Sequence, residues 1–325
     1  MSGACTLEAA SRSSGFDAHC CNRARVEGAA TALRDCCHVA VGAHDGGVSF
    51  LRLHDGGLCG KFTAVGAIKA ALACDPWTGR VWGASHGRDA FALDGPPRCS
   101  ASWQCSLDGA VSAPPSFDAT RRRVYFATLA GTLIAVDDPA GAAAPNEAWR
   151  ARVGAAVFGA PAVAACGVVI VSTVEGELRA FAAADGTHVW RAAAGVGPLF
   201  AAPTLIADGA LAVIGTHDCA LLCVRCTDGE HQWTLPLPGR VAAAAAVDAA
   251  LAGWWRPAEQ LVAAVTVAGE VHVLSVPPAG QPTCVASATL PGEAFSAPVM
   301  HNGTLLLGCR DDWIYGLQLR AVLEP

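Results

Sequence analysis

Charge is what this chain has least of. Asp, Glu, Lys and Arg make up 15% of its 325 residues, against about 25% in an ordinary soluble domain. Intrinsic disorder, which requires low hydropathy and high charge, is thereby excluded. Long apolar runs are also missing: stretches such as residues 241–247 fall well short of the roughly 18 residues that a membrane-spanning helix needs. There is no excess of basic residues. The formal net charge of -6 argues against general affinity for nucleic acid or acidic membranes. Residues 1–16 hold no apolar stretch of the signal-peptide kind, so the expected compartment is the cytoplasm. No glycine-rich phosphate loop ending in Gly-Lys, no carrier serine motif and no converging Asp/Asn/Glu set for calcium stands out.

What is present is 53% hydrophobic residues and 15 cysteines. Much of the apolar content is alanine, which buries little area per residue. With no oxidising compartment indicated, an odd number of cysteines reads as reduced thiols serving as small buried hydrophobes. Asn302-Gly303-Thr304 fits a glycosylation sequon and reads as a turn.

Self-similarity organises the chain. A short apolar strand, a small residue, a lead-in, a turn residue and a second apolar strand recur with turns at 46, 87, 131, 176, 219, 269 and 312. The separations are 41, 44, 45, 43, 50 and 43 residues. A lead strand opening on small residues precedes each copy, as in Val111-Ser112-Ala113-Pro114 and Phe295-Ser296-Ala297-Pro298. A trailing strand follows, carrying Trp103, Trp149, Trp190 or Trp233 in four copies. Asp185-Gly186 and Asp228-Gly229 precede two of these tryptophans with the chemistry of tight hairpins. Four short strands per unit of about 40–45 residues describe a β-propeller blade. One blade has two apolar faces that it cannot bury alone, so the tryptophans are expected between adjacent blades.

The reading is all-β: about seven four-stranded blades over residues 26–320, an irregular leader over 1–25 and a tail over 321–325. Residues 240–253 have helix propensity, but the repeat register makes 241–247 an inner strand. Trp254-Trp255-Arg256-Pro257 then falls in a longer loop.

The phrase Gly-x-x-x-Gly-x-Leu-x-Ala-Val-Asp with a trailing Trp resembles the pyrroloquinoline quinone (PQQ) repeat. Residues 127–137 with Trp149, and 172–181 with Trp190, carry it, although Ala127 and Ser172 replace the first glycine. More narrowly, the series resembles the C-terminal propeller of the β-alanine-activating enzyme family, also called acyl-CoA synthetase family member 4. The residues behind this are Gly215-Thr216-His217-Asp218-Cys219, Leu290-Pro291-Gly292-Glu293, Phe295-Ser296-Ala297-Pro298-Val299, Gly308-Cys309-Arg310-Asp311 and Asp75-Pro76-Trp77-Thr78-Gly79. The resemblance implies a propeller that follows an adenylate-forming domain and a phosphopantetheine carrier. It also implies a non-catalytic accessory role in amino-acid activation, with a protein partner or fused domains. Propellers of this kind typically have eight blades, so the chain is expected to lack its first one and to show a seam.

The alternative is a PQQ-dependent dehydrogenase, which shares the repeat. Such an enzyme needs calcium, an aspartate base and often a vicinal disulfide. Cys20-Cys21 and Cys36-Cys37 are vicinal pairs, but the first lies in the leader and the second runs into an apolar strand. No catalytic residue, PQQ or other cofactor is expected. His217, Cys219, Cys223 and Cys226 suggest zinc through their C-x₂-C spacing, yet strand register sends 223 and 226 to opposite faces. The remaining candidates are the turn residues His44, Asp45, His86, Glu175, His217, Asp218, Arg310 and Asp311. Register gathers these on one rim as a surface for a protein partner, although polar residues also favour turns for local hydrogen bonds alone. Arg121-Arg122-Arg123 reads as a solvated turn.

Overall fold

A computed structural model describes residues 5–14, 25–139, 144–195, 197–248 and 259–321. Seven four-stranded antiparallel sheets account for the described strands. The first comprises Thr31–Ala32, His38–Gly42, Gly47–Arg52 and Leu58–Thr63, paired in that order. The next five repeat this meander at residues 73–106, 116–152, 162–193, 204–236 and 246–289. This is the β-propeller architecture. By contact density the chain divides into two compact units: Ala18–Val163 with Arg179–Val189, and Met1–Asp17 with Ala164–Leu178 and Trp190–Pro325.

Local chemistry explains the strands. Their central members are runs such as Val124-Tyr125-Phe126-Ala127 and Leu261-Val262-Ala263-Ala264-Val265, fully buried or nearly so. Strands buried on both faces read as continuous apolar stretches rather than alternating ones. The turns between second and third strands place Gly46, Gly131, Gly176, Cys219, Gly269 and Asp312 at positive φ, as the repeat predicts. The second copy differs. There the left-handed residue is Arg88, one position later than the predicted Gly87. A Cβ on Gly87 would lie 1.2 Å from the Val65 carbonyl oxygen, so this glycine answers a close backbone approach instead.

The leader is corrected by the structure. Cys5–Ser14 is a strand, paired antiparallel with Trp313–Ala321. It completes the seventh sheet beside Val299–His301 and Thr304–Gly308. The fourth strand of this sheet thus comes from the opposite end of the sequence from the other three. Ala321, expected in the tail, belongs to this sheet.

The described part of the helix-prone segment, residues 240–248, is not helical. Residues 241–245 lead, without helix, into the strand Ala246–Asp248. The inner strand is therefore shorter than expected, and 254–257 lie outside the described residues. The Asn302 turn forms as expected, with φ of 49° between two paired strands.

The tryptophans do lie between sheets. The Trp149 indole N–H donates to the Ala183 carbonyl at 3.1 Å, and that of Trp190 to the Cys226 carbonyl at 2.9 Å. Trp233 joins Cys223, Val262 and Leu274 in a core shared by the fifth and sixth sheets.

Candidate functional site

All eight predicted rim residues occupy turns between second and third strands. The first six turns are each fastened by a recurring backbone bond, which a residue shortly ahead of the next sheet's first strand donates to a carbonyl at the turn. Examples are Ile68 to Ala43 at 3.0 Å, Val111 to Ser85 at 3.1 Å, Leu199 to Thr173 at 3.1 Å and Val241 to Thr216 at 3.0 Å. A reciprocal bond runs from the turn to the preceding lead, as in His44 N–H to Arg25 at 2.9 Å and Arg310 N–H to Glu293 at 2.9 Å. These bonds hold the turn side chains on a stiff frame.

In the unit containing residues 18–163, His44 Nε2 lies 3.0 Å from a Glu27 carboxylate oxygen. Burial works against the Glu27 anion, but the His44 bond and the charges of His44, Arg25 and Lys69 outweigh it and hold its pKa below the usual value. Asp45 accepts from the Gly47 N–H at 2.9 Å and pairs with Lys61 at 3.2 Å, which keeps it ionised. His86 Nε2 meets the Ser112 hydroxyl at 2.6 Å. Burial and the nearby Lys69 depress the His86 pKa. A neutral imidazole on a serine hydroxyl is half of a nucleophile arrangement. Among the described residues no third group orients the other ring nitrogen.

In the other unit, Glu175 is exposed. His217 packs on the Phe200 ring with centroids 5.0 Å apart, and burial together with Arg240 lowers its pKa. Asp218 accepts from the Gly197 N–H at 3.3 Å. The Arg310 guanidinium stacks over Phe295, 4.8 Å from the ring centroid, and meets Glu293 at 3.0 Å. Asp311 accepts from the Trp313 N–H and the Tyr315 hydroxyl. Asp45 and Asp311 thus fasten their own turns, as the local reading of turn polarity holds.

Three histidines lose proton affinity through burial: His86, His217 and His272, the last with a buried Nε2 that has no hydrogen-bond partner among the described residues. Glu270 opposes the shift at His272 without cancelling it. A depressed histidine is neutral in the fold, so the unfolded chain takes up protons first as pH falls. Stability is therefore expected to drop as pH falls below about 6.5. Urea midpoints measured across that range should show the slope, and His272→Gln should flatten it.

The zinc set does not assemble. Cys223 packs towards the sixth sheet, whereas Cys226 lies near Cys166. Burial pushes both thiols to about 12, leaving them protonated. Among the described residues no three His, Cys, Asp or Glu side chains could share a metal ion. The expectation of buried thiols holds for Cys223 and Cys226, while Cys36, Cys37, Cys166 and Cys284 are exposed free thiols. Cys20-Cys21 lies outside the described residues.

The arginine triplet is the clearest departure from the sequence reading. Arg122 reaches Asp75 at 2.8 Å and Asp138 at 3.5 Å, and Arg80 also pairs with Asp138. Both carboxylates have 0% side-chain exposure. Arg123 binds Asp137 at 2.6 Å and the Ala183 carbonyl, and Arg121 binds Asp118 at 3.0 Å. The signal that could have found this network is the aspartate that ends or directly follows the first strand of the second, third and sixth sheets, at 75, 118 and 248, each holding a backbone N–H. Beside the network a cleft of about 550 Å³ opens among Leu33, Arg34, Thr78, Arg80, Pro97 and Arg98. None of the predicted rim residues lines it.

Residues 9–319 match the family model described as the β-propeller of the β-alanine-activating enzyme. The chain belongs to this family. The human β-alanine-activating enzyme is 36% identical over 105 residues, covering 32% of this chain and 9% of that protein. The Danio rerio and Mus musculus proteins of the same name are 32% and 34% identical over the same length. The match therefore spans under a tenth of these curated relatives. Among solved structures, BamB from Moraxella catarrhalis superposes with a TM-score of 0.64 at 18% identity, covering 90% of this chain and 83% of that one. That likeness concerns the fold alone. No helix among the described residues is long and apolar enough to cross a membrane.

Proposed function

We propose that this propeller of the β-alanine-activating family is a non-catalytic interaction module that docks an acyl-adenylate-forming partner, or its carrier, in the cytoplasm. The observation that carries the reading is Arg310. Its guanidinium is 64% exposed yet held flat by Phe295 and Glu293. An ordered arginine on an aromatic ring, in a turn stiffened by backbone bonds, has the composition and low ordering cost of an interface anchor. Glu175, His217 and Asp218, on other turns of the same unit, offer the same kind of polar surface. Neither quinone nor metal enters this reading.

Binding to the adenylation and carrier regions of a family member, measured by calorimetry, should weaken about tenfold or more in Arg310→Glu, the loss of one anchor. Because the ion pair with Glu293 is exposed, the melting temperature should move by less than about 2 °C. Unchanged affinity would remove Arg310 from the interface. Asp311 is not a clean probe, since its carboxylate holds Trp313 and Tyr315 in place.

A further inference from the structure

One cysteine stands where neighbouring copies carry glycine. The turn from third to fourth strand holds a left-handed residue whose N–H donates to the carbonyl four positions back. This residue is Gly56 in the first sheet, Gly186 in the fourth and Gly229 in the fifth. In the second sheet it is Cys99, with φ of 49° and its N–H 3.3 Å from the Gly95 carbonyl oxygen. A Cβ is disfavoured in that conformation, which glycine adopts freely.

The facing position changes in the opposite sense. Trp149 follows a bulge in its strand and lays its ring on Gly186 of the next sheet. Trp190 lies on Gly229 in the same way. In the first sheet the position after the bulge is Gly60, paired with Phe50. A Cβ built on Gly60 would lie 2.5 Å from both the Cβ and the Sγ of Cys99. The large-on-small contact is thus reversed, and the Cys99 thiol takes the place of the indole.

Cys59 is the bulged residue itself. Phe50 pairs with Gly60 and Leu51 with Leu58, which leaves Cys59 outside the ladder. Cys59 and Cys99 pack on one core, with Phe50 of the first sheet and Phe91 and Leu93 of the second. Both are free thiols and partly exposed, so a small oxidant can reach them. All of these residues belong to the unit containing residues 18–163.

We propose that Cys59 and Cys99 are a redox-active pair that closes to a disulfide between the first and second sheets, with a low-molecular-weight disulfide as oxidant. A disulfide bridges Cα atoms up to about 7 Å apart, and the residue next to Cys59 already touches the Cys99 side chain. The Cys59 sulfur attacks one sulfur of the oxidant, forming a mixed disulfide and expelling one thiolate, which takes the Cys59 proton. Cys99 then attacks Cys59 Sγ and expels the second thiolate, which takes the Cys99 proton. The oxidant is reduced to two thiols as the protein sulfurs join. Burial, and after it Cys59, raises the Cys99 pKa, which leaves the opening attack to Cys59.

The whole chain, first reduced, can be incubated with oxidised glutathione, alkylated, digested and analysed by mass spectrometry. Peptides joined through Cys59 and Cys99 should appear, with loss of both thiols to alkylation, and dithiothreitol should restore them. In Cys99→Gly, which gives this turn the residue of its counterparts, Cys59 should stop at the mixed disulfide with glutathione. Cys99→Ser is the second choice if that variant melts early. Cys59 and Cys99 both still alkylated at an oxidant concentration that modifies the exposed Cys36 would overturn the proposal. So would a lasting glutathione adduct on Cys59 in the unsubstituted chain, or a link from either thiol to another cysteine, including Cys74 on the same core.

Discussion

Asp138→Ala should destabilise the unit containing residues 18–163 by about 3–5 kcal/mol, the usual cost of removing one partner from a buried ion pair. Asp138 has no exposed side-chain surface, while Arg80 and Arg122 are 15% and 23% exposed. Without Asp138, Arg122 keeps Asp75, which also accepts from the Trp77 N–H, while Arg80 keeps no carboxylate partner among the described residues. Both arginines also have a buried Nε with no partner among the described residues. They are ill placed to recover their hydration. Urea unfolding followed by the fluorescence of Trp82 and Trp103, which lie in the core joining the second and third sheets, should report the loss. Asp138→Asn keeps the shape and removes the charge. It should cost nearly as much if charge compensation dominates, and a loss below about 1 kcal/mol, the level of an exposed pair, would show that solvent already screens the network.

Gly229→Ala should cost about 2–5 kcal/mol, combining about 1–2 for a left-handed alanine with about 1–3 for overpacking. Gly229 has φ of 73°, and a Cβ there would lie 2.6 Å from Cε3 of Trp190. The indole cannot retreat without losing its 2.9 Å bond to the Cys226 carbonyl. In a Trp190→Ala background the clash is gone, and the same glycine substitution should cost only the backbone part. Stability measurements on the four members of this cycle separate the two contributions. Equal costs in both backgrounds would mean that the ring does not constrain the turn. The third and fourth sheets repeat the arrangement, with Gly186 against Trp149. Gly186→Ala should therefore behave alike.

Much of this was legible in the residues. The recurrence of a turn every 40 to 50 positions, the Asp-Gly pairs and the trailing tryptophans follow from local chemistry. They locate strands, turns and inter-sheet contacts without knowledge of distant partners. In six copies the expected turn position carries the residue with positive φ. In the seventh case, Gly87 and Arg88, the need for a glycine was real but came from the neighbouring Val65 carbonyl. Arg121, Arg122 and Arg123 misled because a run of like charge next to a turn looks solvated. Their partners Asp75, Asp137, Asp138 and the Ala183 carbonyl lie elsewhere in the sequence. The rim residues were placed in the correct turns, but which of them anchor their own loop depended on side-chain geometry. Asp45 and Asp311 do so, whereas Arg310 is presented outward.

The sequence by itself determined the repeat, and with it the β-propeller and the family, because a blade's strands and turns are encoded within about 45 contiguous residues. Only the tertiary structure decided the use of residues 5–14. That segment, with little apolar contrast, becomes a strand through hydrogen bonds to Trp313–Ala321, some 300 positions away. It likewise decided which arginines are buried. Burial and ion pairing depend on what the rest of the chain brings alongside, and spacing along a single repeat carries no record of that.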